Sequence, residues 1–145
     1  MRTGCFLHDV MKTELVVVDE GESVYLGCEL MANMKIGSLL VSKRNNIVGI
    51  ITEKDIIRRV IAKGKDPKTT TFKEIDNRPV LTMDISADIY DAFVFMNDEG
   101  IRHLPVAEKG MIRGMVTLSD LLKLSPGLIE IIYQKGYEGK LNATA

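Results

Sequence analysis

The sequence has little of what several classes of protein need. Its 145 residues include no Trp, two Cys and only four Phe and four Tyr. So few aromatic residues argue against a platform that stacks the bases of single-stranded nucleic acid. The two cysteines, Cys5 and Cys28, lack the paired Cys or His spacing of a zinc site. We therefore expect neither a nucleic-acid partner nor a structural metal.

Excess charge and long apolar runs are missing too. The 19 basic and 20 acidic side chains nearly cancel, so the chain as a whole has no field that would attract nucleic acid or an anionic membrane. No apolar run approaches the about 20 residues that cross a bilayer, and the N-terminus lacks the apolar stretch of a signal peptide. The sequence predicts a cytoplasmic protein with no membrane partner.

Signatures of catalysis are absent as well. The chain is too short for a barrel enzyme of about 250 residues. No nucleophile motif, P-loop or cluster of metal ligands can be read in the sequence. We predict a protein that is not an enzyme and requires no cofactor.

An internal repeat organises the chain. Sliding the sequence by 65 positions aligns residues 9–58 with 74–123 without a gap. Ten of these 50 positions are identical, whereas average composition would give about three by chance. The chain is therefore a tandem duplication. The identical pairs are Asp19/Asp84, Tyr25/Tyr90, Met31/Met96, Ile36/Ile101, Leu39/Leu104, Val41/Val106, Ile47/Ile112, Gly49/Gly114, Thr52/Thr117 and Asp55/Asp120.

Each copy has the same predicted order of elements: strand, helix, strand, strand, helix. Short apolar runs indicate the strands, apolar residues at helical spacing indicate the helices, and a capping Ser or Asp opens the first helix of each copy. The predicted fold class is α+β, with two β-α-β-β-α repeats. The first four predicted elements span 15–18, 23–34, 38–42 and 47–52 in the first copy and 80–83, 88–99, 103–107 and 111–117 in the second.

The repeat also predicts how the chain is divided. Residues 1–62 would form the first repeat with an N-terminal segment, 63–71 a polar linker, 72–124 the second repeat, and 125–145 a C-terminal helix and tail. A unit of about 50 residues buries too little apolar surface to be stable alone. We therefore expect the two repeats to pack through their sheets with pseudo-two-fold symmetry.

A Gly-x-x-Thr-x-x-Asp motif joins the third strand to the second helix in both copies. It contains Thr52 and Asp55 in the first copy and Thr117 and Asp120 in the second. With Thr as the N-cap, Asp falls at the third helical position, and the amides of the first turn form a local site for an anion such as phosphate. Phosphate would repel the carboxylate, whose fitting partner is a pair of neutral hydroxyls, as on a ribose.

The same spacing has a simpler interpretation. Ser or Thr followed three residues later by an acidic residue is an ordinary capping box, which stabilises a helix by about 1 kcal/mol. A single copy would indicate a cap alone. Its recurrence at equivalent places favours a ligand as well, because capping and binding can coexist.

The repeat order, the two motifs and the run from Gly100 to Val106 resemble a tandem pair of CBS domains, also called a Bateman module. The resemblance covers about residues 9–124. It implies two related clefts that bind an adenosyl ligand, with AMP, ADP or ATP expected first. With no other domain fused, the chain resembles stand-alone pairs that form homodimers and act as sensors or on a protein partner in trans.

The resemblance also implies roles for individual residues. Asp55 and Asp120 would hold ribose hydroxyls, Thr52 and Thr117 would help to hold phosphate, and Lys54 and Ser119 would add donors. The remaining implied ligand-binding residues are Thr13 and Val80, where the base pocket would begin, and Arg102, His103 and Pro105 at the start of and within the second strand of the second copy.

The two copies differ at these positions. Gly37 and Ser38 stand where the second copy has Arg102 and His103, so the sequence favours a cationic phosphate clamp in the cleft that Arg102 and His103 reach. We predict a non-catalytic sensor of an adenine nucleotide that signals by a shift between conformations. Two alternatives remain: a binder of S-adenosylmethionine or NAD, and a scaffold that dimerises without ligand through the helix faces of 56–61 and 121–128.

Overall fold

The computed structural model describes residues 2–75 and 79–134 of the chain. These residues form seven α-helices and six strands. In chain order the elements are α1 (Leu7–Val10), β1 (Val17–Asp19), α2 (Val24–Met34), β2 (Ser38–Lys43), β3 (Asn46–Thr52), α3 (Glu53–Ile56) continued by a π-helical segment (Ile57–Ile61), α4 (Phe72–Ile75), β4 (Met83–Asp84), α5 (Ile89–Glu99), β5 (His103–Glu108), β6 (Met111–Thr117), α6 (Leu118–Leu124), a 3-10 turn (Pro126–Leu128) and α7 (Ile129–Gln134).

The strands form two separate three-stranded sheets, in the orders β1-β2-β3 and β4-β5-β6. In each sheet the first strand is parallel to the second, and the second is antiparallel to the third. Ser38 pairs with Thr52 in the first sheet and His103 with Thr117 in the second, so the register repeats as well. The predicted α+β class with two β-α-β-β-α repeats is confirmed.

Helices α2 and α5 begin and end where the sequence predicts. Ser23 accepts a hydrogen bond from the amide of Leu26, and Asp88 accepts one from the amide of Tyr90. Both helices end at a residue in the left-handed conformation, Lys35 with φ 54° and Gly100 with φ 68°. These caps satisfy terminal amides and carbonyls that have no partner within the helix.

The chain folds into two compact units, Leu15–Val80 and a second made of Met1–Glu14 with Leu81–Ala145. Each unit has its own apolar core. The buried residues of the first include Val24, Met31, Leu39, Val41, Ile51, Val60, Phe72 and Ile75. Those of the second include Leu7, Phe93, Met96, Leu104, Val106, Val116, Leu121, Leu128 and Ile131.

The short helices before the two repeats are exchanged between the units. Leu7 in α1 is fully buried in the core of the second repeat, and its amide donates to the carbonyl of Ala87 at 2.9 Å. Phe72 in α4 is fully buried in the core of the first repeat, and its amide donates to the carbonyl of Glu22 at 3.2 Å. Residues 2–14 therefore belong with the second repeat, and 72–75 with the first.

The C-terminal segment also completes the core of the second unit. Leu128 in the 3-10 turn and Ile131 in α7 are buried there. The predicted tail from residue 135 onward lies outside the described residues. Packing of the two repeats through their sheets stays a prediction from the sequence.

Within the described part of the chain, no helix is both long and apolar enough to cross a membrane.

Candidate functional site

The first Gly-x-x-Thr-x-x-Asp motif forms a closed capping box at the start of α3. The amide of Thr52 donates to Oδ2 of Asp55 at 2.9 Å, and the Thr52 hydroxyl donates to the same oxygen at 3.0 Å. The amide of Asp55 donates to Oγ1 of Thr52 at 3.4 Å. The other carboxylate oxygen, Oδ1, lies 3.8 Å from Nε of Arg59. Only 4% of Asp55 is exposed, so this carboxylate is engaged on both oxygens.

Arg59 extends this network to the helix before the second repeat. Its guanidinium also donates to the carbonyl oxygen of Ile75 in α4. The ion pair of Asp55 and Arg59 therefore holds α4 against the first repeat, which is a structural use of the first motif.

The second motif forms a looser box at the start of α6. The amide of Thr117 donates to Oδ2 of Asp120 at 3.3 Å, and the amide of Asp120 donates to Oγ1 of Thr117 at 3.1 Å. A quarter of the Asp120 side chain is exposed, and Nζ of Lys12 lies 4.0 Å from its Oδ2. The residue of the second repeat that is equivalent to Arg59 is Leu124, which has no charge. The carboxylate of Asp120 is therefore more accessible than that of Asp55.

The amides at the start of each helix are less available than the sequence suggested. The amide of Leu118 donates to the carbonyl of Arg102 at 3.0 Å, and that of Asp120 is bonded to Thr117. The amide of Glu53 likewise donates to the carbonyl of Gly37 at 3.2 Å. In each motif the amides of the first and third helical positions therefore already have partners within the protein. Side-chain donors around the motif are therefore the ones to consider for a phosphate.

Basic residues do lie around the second motif. Arg102 is exposed, and its carbonyl bond to Leu118 fixes its backbone beside the first residue of α6. His103 is half-buried and lies opposite Thr117 in the sheet. In the first repeat these places hold Gly37 and Ser38, so the basic side chains expected from the sequence belong to one motif only.

Pro105 has a packing role. It is buried in the middle of β5, opposite Met115 of β6. The backbone of Met115 exchanges two hydrogen bonds, each of 2.9 Å, with Lys12 on the other side. A proline is tolerated here because this position of the β5–β6 pair needs no amide donor. Because Pro105 is buried, its role in the structure is to pack within the strand that also carries His103.

The other predicted site residues divide between the two units. Thr13 is exposed and follows Lys12 in the segment that pairs with β6, whereas Val80 is half-buried at the end of the first unit. Lys54 and Ser119 are both exposed in the first turns of their helices. One unit therefore contains Thr13, Arg102, His103, Pro105, Thr117, Ser119 and Asp120, and the other contains Thr52, Lys54, Asp55 and Val80.

Gly114 of the second motif is required by the close approach of the N-terminal segment. A Cβ added there would lie 2.6 Å from Sδ of Met11 and 2.9 Å from the carbonyl oxygen of Lys12. No other residue type lets the two backbones come this close. This glycine therefore fixes the segment that carries Lys12 beside Asp120.

Two residues of the site were missed by the sequence reasoning. Arg59 has a local signal, since it lies four residues after Asp55 on the same helix, where oppositely charged side chains meet. Lys12 has none, because it lies 108 positions before Asp120 and reaches it only through the exchange of α1 between the repeats.

A mainly apolar groove of about 490 Å³ borders the first motif, with Glu53 in its lining but neither Thr52 nor Asp55. Its lining includes Cys28, Met31, Ala32, Ile36, Ile56 and Ile57. Along the same helix Ile57 is 60% and Ile61 56% exposed. Among the described residues, no group of three or more His, Cys, Asp or Glu side chains is arranged to hold a metal ion.

Comparison with known proteins agrees with this architecture. The model of the CBS-domain family matches residues 7–62 and again residues 72–127. An uncharacterized protein of Methanopyrus kandleri is 34% identical over 102 residues, which are 69% of this chain and 52% of that protein. The chain thus spans about half the length of this relative.

Solved structures show the same likeness. An uncharacterized conserved protein from Pyrococcus horikoshii superposes with a TM-score of 0.79 at 32% identity, covering 86% of this chain and 95% of that one. A hexameric CBS-CP12 protein from bloom-forming cyanobacteria superposes with a TM-score of 0.74 at 28% identity, covering 81% and 66%. Oligomeric relatives therefore exist. With both repeats matched by the family model, the chain belongs to the CBS-domain family and carries two CBS domains in tandem.

Proposed function

We propose that this tandem CBS pair is a non-catalytic regulatory module that binds an adenine nucleotide at its second motif. The observation that carries the proposal is the carboxylate of Asp120, which is a quarter exposed and has Nζ of Lys12 at 4.0 Å from its Oδ2. A carboxylate only accepts hydrogen bonds, so two neighbouring hydroxyls of a ribose are suitable donors. AMP, ADP and ATP all present that pair of hydroxyls.

Basic and hydroxyl side chains would hold the phosphate end. Arg102 is exposed beside the start of α6, and His103 lies opposite Thr117. Arg binds phosphate through paired donors, which is stronger than a neutral hydrogen bond. Thr117 and Ser119 would add hydroxyls, and Thr13, next in the chain after Lys12, would begin the base pocket.

We propose that the first motif is not an equivalent site. The Asp55 carboxylate accepts from Thr52 and pairs with Arg59, and it is 4% exposed. A ribose would have to displace these partners, and breaking a buried ion pair is costly. Any contacts from Thr52, Lys54 and Val80 would then be made without a ribose on Asp55. One nucleotide per chain is the expected stoichiometry.

Signalling would follow from a shift between conformations. A ligand can bias such an equilibrium only by its difference in affinity for the two states, typically about 1 to 3 kcal/mol of coupling. A protein partner regulated in trans would respond to the favoured state. No step of this mechanism breaks or forms a covalent bond.

Self-association is the second candidate function, and a specific observation favours it. Ile57 and Ile61 expose more than half of their surface on one helix, and Leu124 is 55% exposed in the second repeat. Neighbouring exposed apolar side chains on one helix, such as Ile57 and Ile61, mark protein interfaces. A homodimer built on these faces is compatible with nucleotide binding, whereas a pure scaffold would not respond to nucleotide.

The two candidates are separated by thermal unfolding with ligands. The purified protein is heated with AMP, ADP, ATP, S-adenosylmethionine or NAD in excess, and with GMP as the guanosine control. A ligand at 100 times its Kd stabilises the folded state by about 2.7 kcal/mol, which raises the Tm by several degrees. A rise with an adenine nucleotide that disappears in Asp120→Asn supports the proposal. No rise with any compound would leave both motifs as helix caps and favour the scaffold.

A further inference from the structure

We infer that Lys12 makes the second motif selective for a phosphorylated adenosyl ligand, against both free adenosine and the cationic sulfonium of S-adenosylmethionine. The inference rests on the function proposed above and names the ligand class of the same site. It begins with one distance, 4.0 Å between Nζ of Lys12 and Oδ2 of Asp120.

The position of Lys12 is fixed by its backbone. Its amide donates to the carbonyl of Met115, and its carbonyl accepts from the amide of Met115, each at 2.9 Å. Leu7, five residues earlier, is fully buried in the core of the second unit. The absence of a side chain at Gly114 allows this pairing. The Lys12 side chain therefore extends from a held segment.

The side chain itself has freedom to change partner. It is 72% exposed, and an ion pair at 4.0 Å between partly exposed groups is weak. When ribose hydroxyls donate to Asp120, the ammonium can move to a phosphate on the same ribose. The Lys12 ammonium, which paired with the Asp120 carboxylate, then pairs with the ligand phosphate.

The charge of each ligand determines whether the nearby basic side chains strengthen or weaken its binding. Nζ of Lys12 lies 4.0 Å from Asp120, and Arg102 is exposed with its carbonyl bonded to the amide of Leu118, two residues before Asp120, so both cations belong to this end of the second unit. A phosphate dianion is attracted by both, and adenosine gains nothing from either. A sulfonium is repelled by both. Because the first repeat has Gly37 where the second has Arg102, the same selectivity is not expected there.

The test is calorimetric titration of AMP, adenosine and S-adenosylmethionine into four proteins: wild type, Lys12→Met, Lys12→Arg and Lys109→Met. Lys109 lies in the β5–β6 turn and is exposed, so Lys109→Met removes the same charge from the same unit at the other end of the strands. Unfolding curves of each variant check that the fold is retained.

Lys12→Met should weaken AMP about tenfold and change adenosine less than about twofold, because one charge-assisted contact is lost. Lys12→Arg and Lys109→Met should keep the AMP affinity within about threefold of the wild-type value. The loss of AMP affinity in Lys12→Met should become smaller as the salt concentration is raised. Equal weakening of AMP and adenosine by Lys12→Met, or tighter binding of S-adenosylmethionine than of AMP by wild type, would overturn the inference alone. A wild-type protein that binds none of the three would overturn the proposed function with it.

Discussion

Asp55 and Arg59 form an ion pair across one turn of helix, whereas Asp120, the counterpart of Asp55, has Leu124 at the counterpart of Arg59. The pair is 3.8 Å apart, and the Arg59 guanidinium also donates to the carbonyl of Ile75. One substitution between the repeats therefore separates a buried carboxylate that is paired with Arg59 from one whose side chain is a quarter exposed. The two identical motifs are expected to behave differently.

We predict opposite effects for the matched variants Asp55→Asn and Asp120→Asn. Asp55→Asn leaves Arg59 without its charged partner and should lower the free energy of unfolding by about 2 kcal/mol, with nucleotide affinity unchanged. Asp120→Asn should lower it by about 1 kcal/mol or less while abolishing nucleotide binding. Urea unfolding and calorimetry measure both quantities. Loss of binding in Asp55→Asn with retention in Asp120→Asn would reverse the assignment.

Leu7→Ala should destabilise the second repeat, although Leu7 precedes the first repeat in sequence. Leu7 is fully buried in the second-repeat core, and truncating a buried leucine costs about 2 to 5 kcal/mol. Hydrogen exchange should show lost protection at 81–134 before 15–75. Val17→Ala, at a strand position that is 41% exposed, is the control. Lost protection confined to 15–75 would contradict the exchange of α1.

Gly114→Ala should loosen the N-terminal segment. The added methyl would lie 2.6 Å from Sδ of Met11 and 2.9 Å from the Lys12 carbonyl oxygen, and crowding of this kind costs about 1 to 3 kcal/mol. We expect faster proteolysis within 2–14 and weaker nucleotide binding, because Lys12 leaves Asp120.

Gly127→Ala is the matched control for that variant, since a methyl at Gly127 has no neighbour within 4 Å. It should change neither proteolysis nor binding. If Gly114→Ala behaved like Gly127→Ala, the N-terminal segment would not be held in the way described.

Acid should weaken the anchoring of the N-terminus through Asp88. Burial raises the pKa of Asp88, but hydrogen bonds from the Tyr90 amide, the Thr3 hydroxyl and the amides of Gly4 and Thr3 outweigh it, so the pKa lies below its ordinary value. A carboxylate with a lowered folded-state pKa stabilises the protein fully above the unfolded pKa of about 3.9, and this contribution is lost as the pH falls through the folded pKa.

The measurement is the free energy of unfolding between neutral pH and about pH 3 for wild type and Asp88→Asn. Wild type should be the more stable at neutral pH, and the difference in free energy of unfolding between wild type and Asp88→Asn should decrease as the pH falls below the unfolded pKa. Asp91→Asn, at an exposed position in the same helix turn, is the control: its free energy of unfolding should stay close to that of wild type at every pH. If the stability difference between wild type and Asp88→Asn did not vary with pH, the hydrogen bonds that Asp88 accepts would not depend on the charge of its carboxylate.

Much of the fold could be predicted because its signals are local. Capping residues such as Ser23 and Asp88, the polar turns and the repeat spacing identified the element order and the family. The exchange of α1 and α4 could not be predicted, because Leu7 and Phe72 are both apolar and nothing local in the sequence indicates which core each side chain enters. Only the packing of the whole chain decides between them.

For the candidate site, the motif pointed to Thr117 and Asp120, and the resemblance to CBS domains pointed to Arg102 and His103. Arg59 was overlooked although its spacing from Asp55 is typical of an ion pair on a helix. Lys12 could not be found from the sequence, since its distance from Asp120 depends on a contact between two ends of the chain.

The most direct test of the central claim is a magnetic resonance titration of isotope-labelled protein with the adenine nucleotide that raises the Tm most. The account predicts that amide signals of Lys12, Arg102 and Thr117 to Asp120 shift with one equivalent of ligand, while those of Thr52 to Asp55 do not. Shifts centred on Thr52 to Asp55, or no shifts at the second motif, would contradict it.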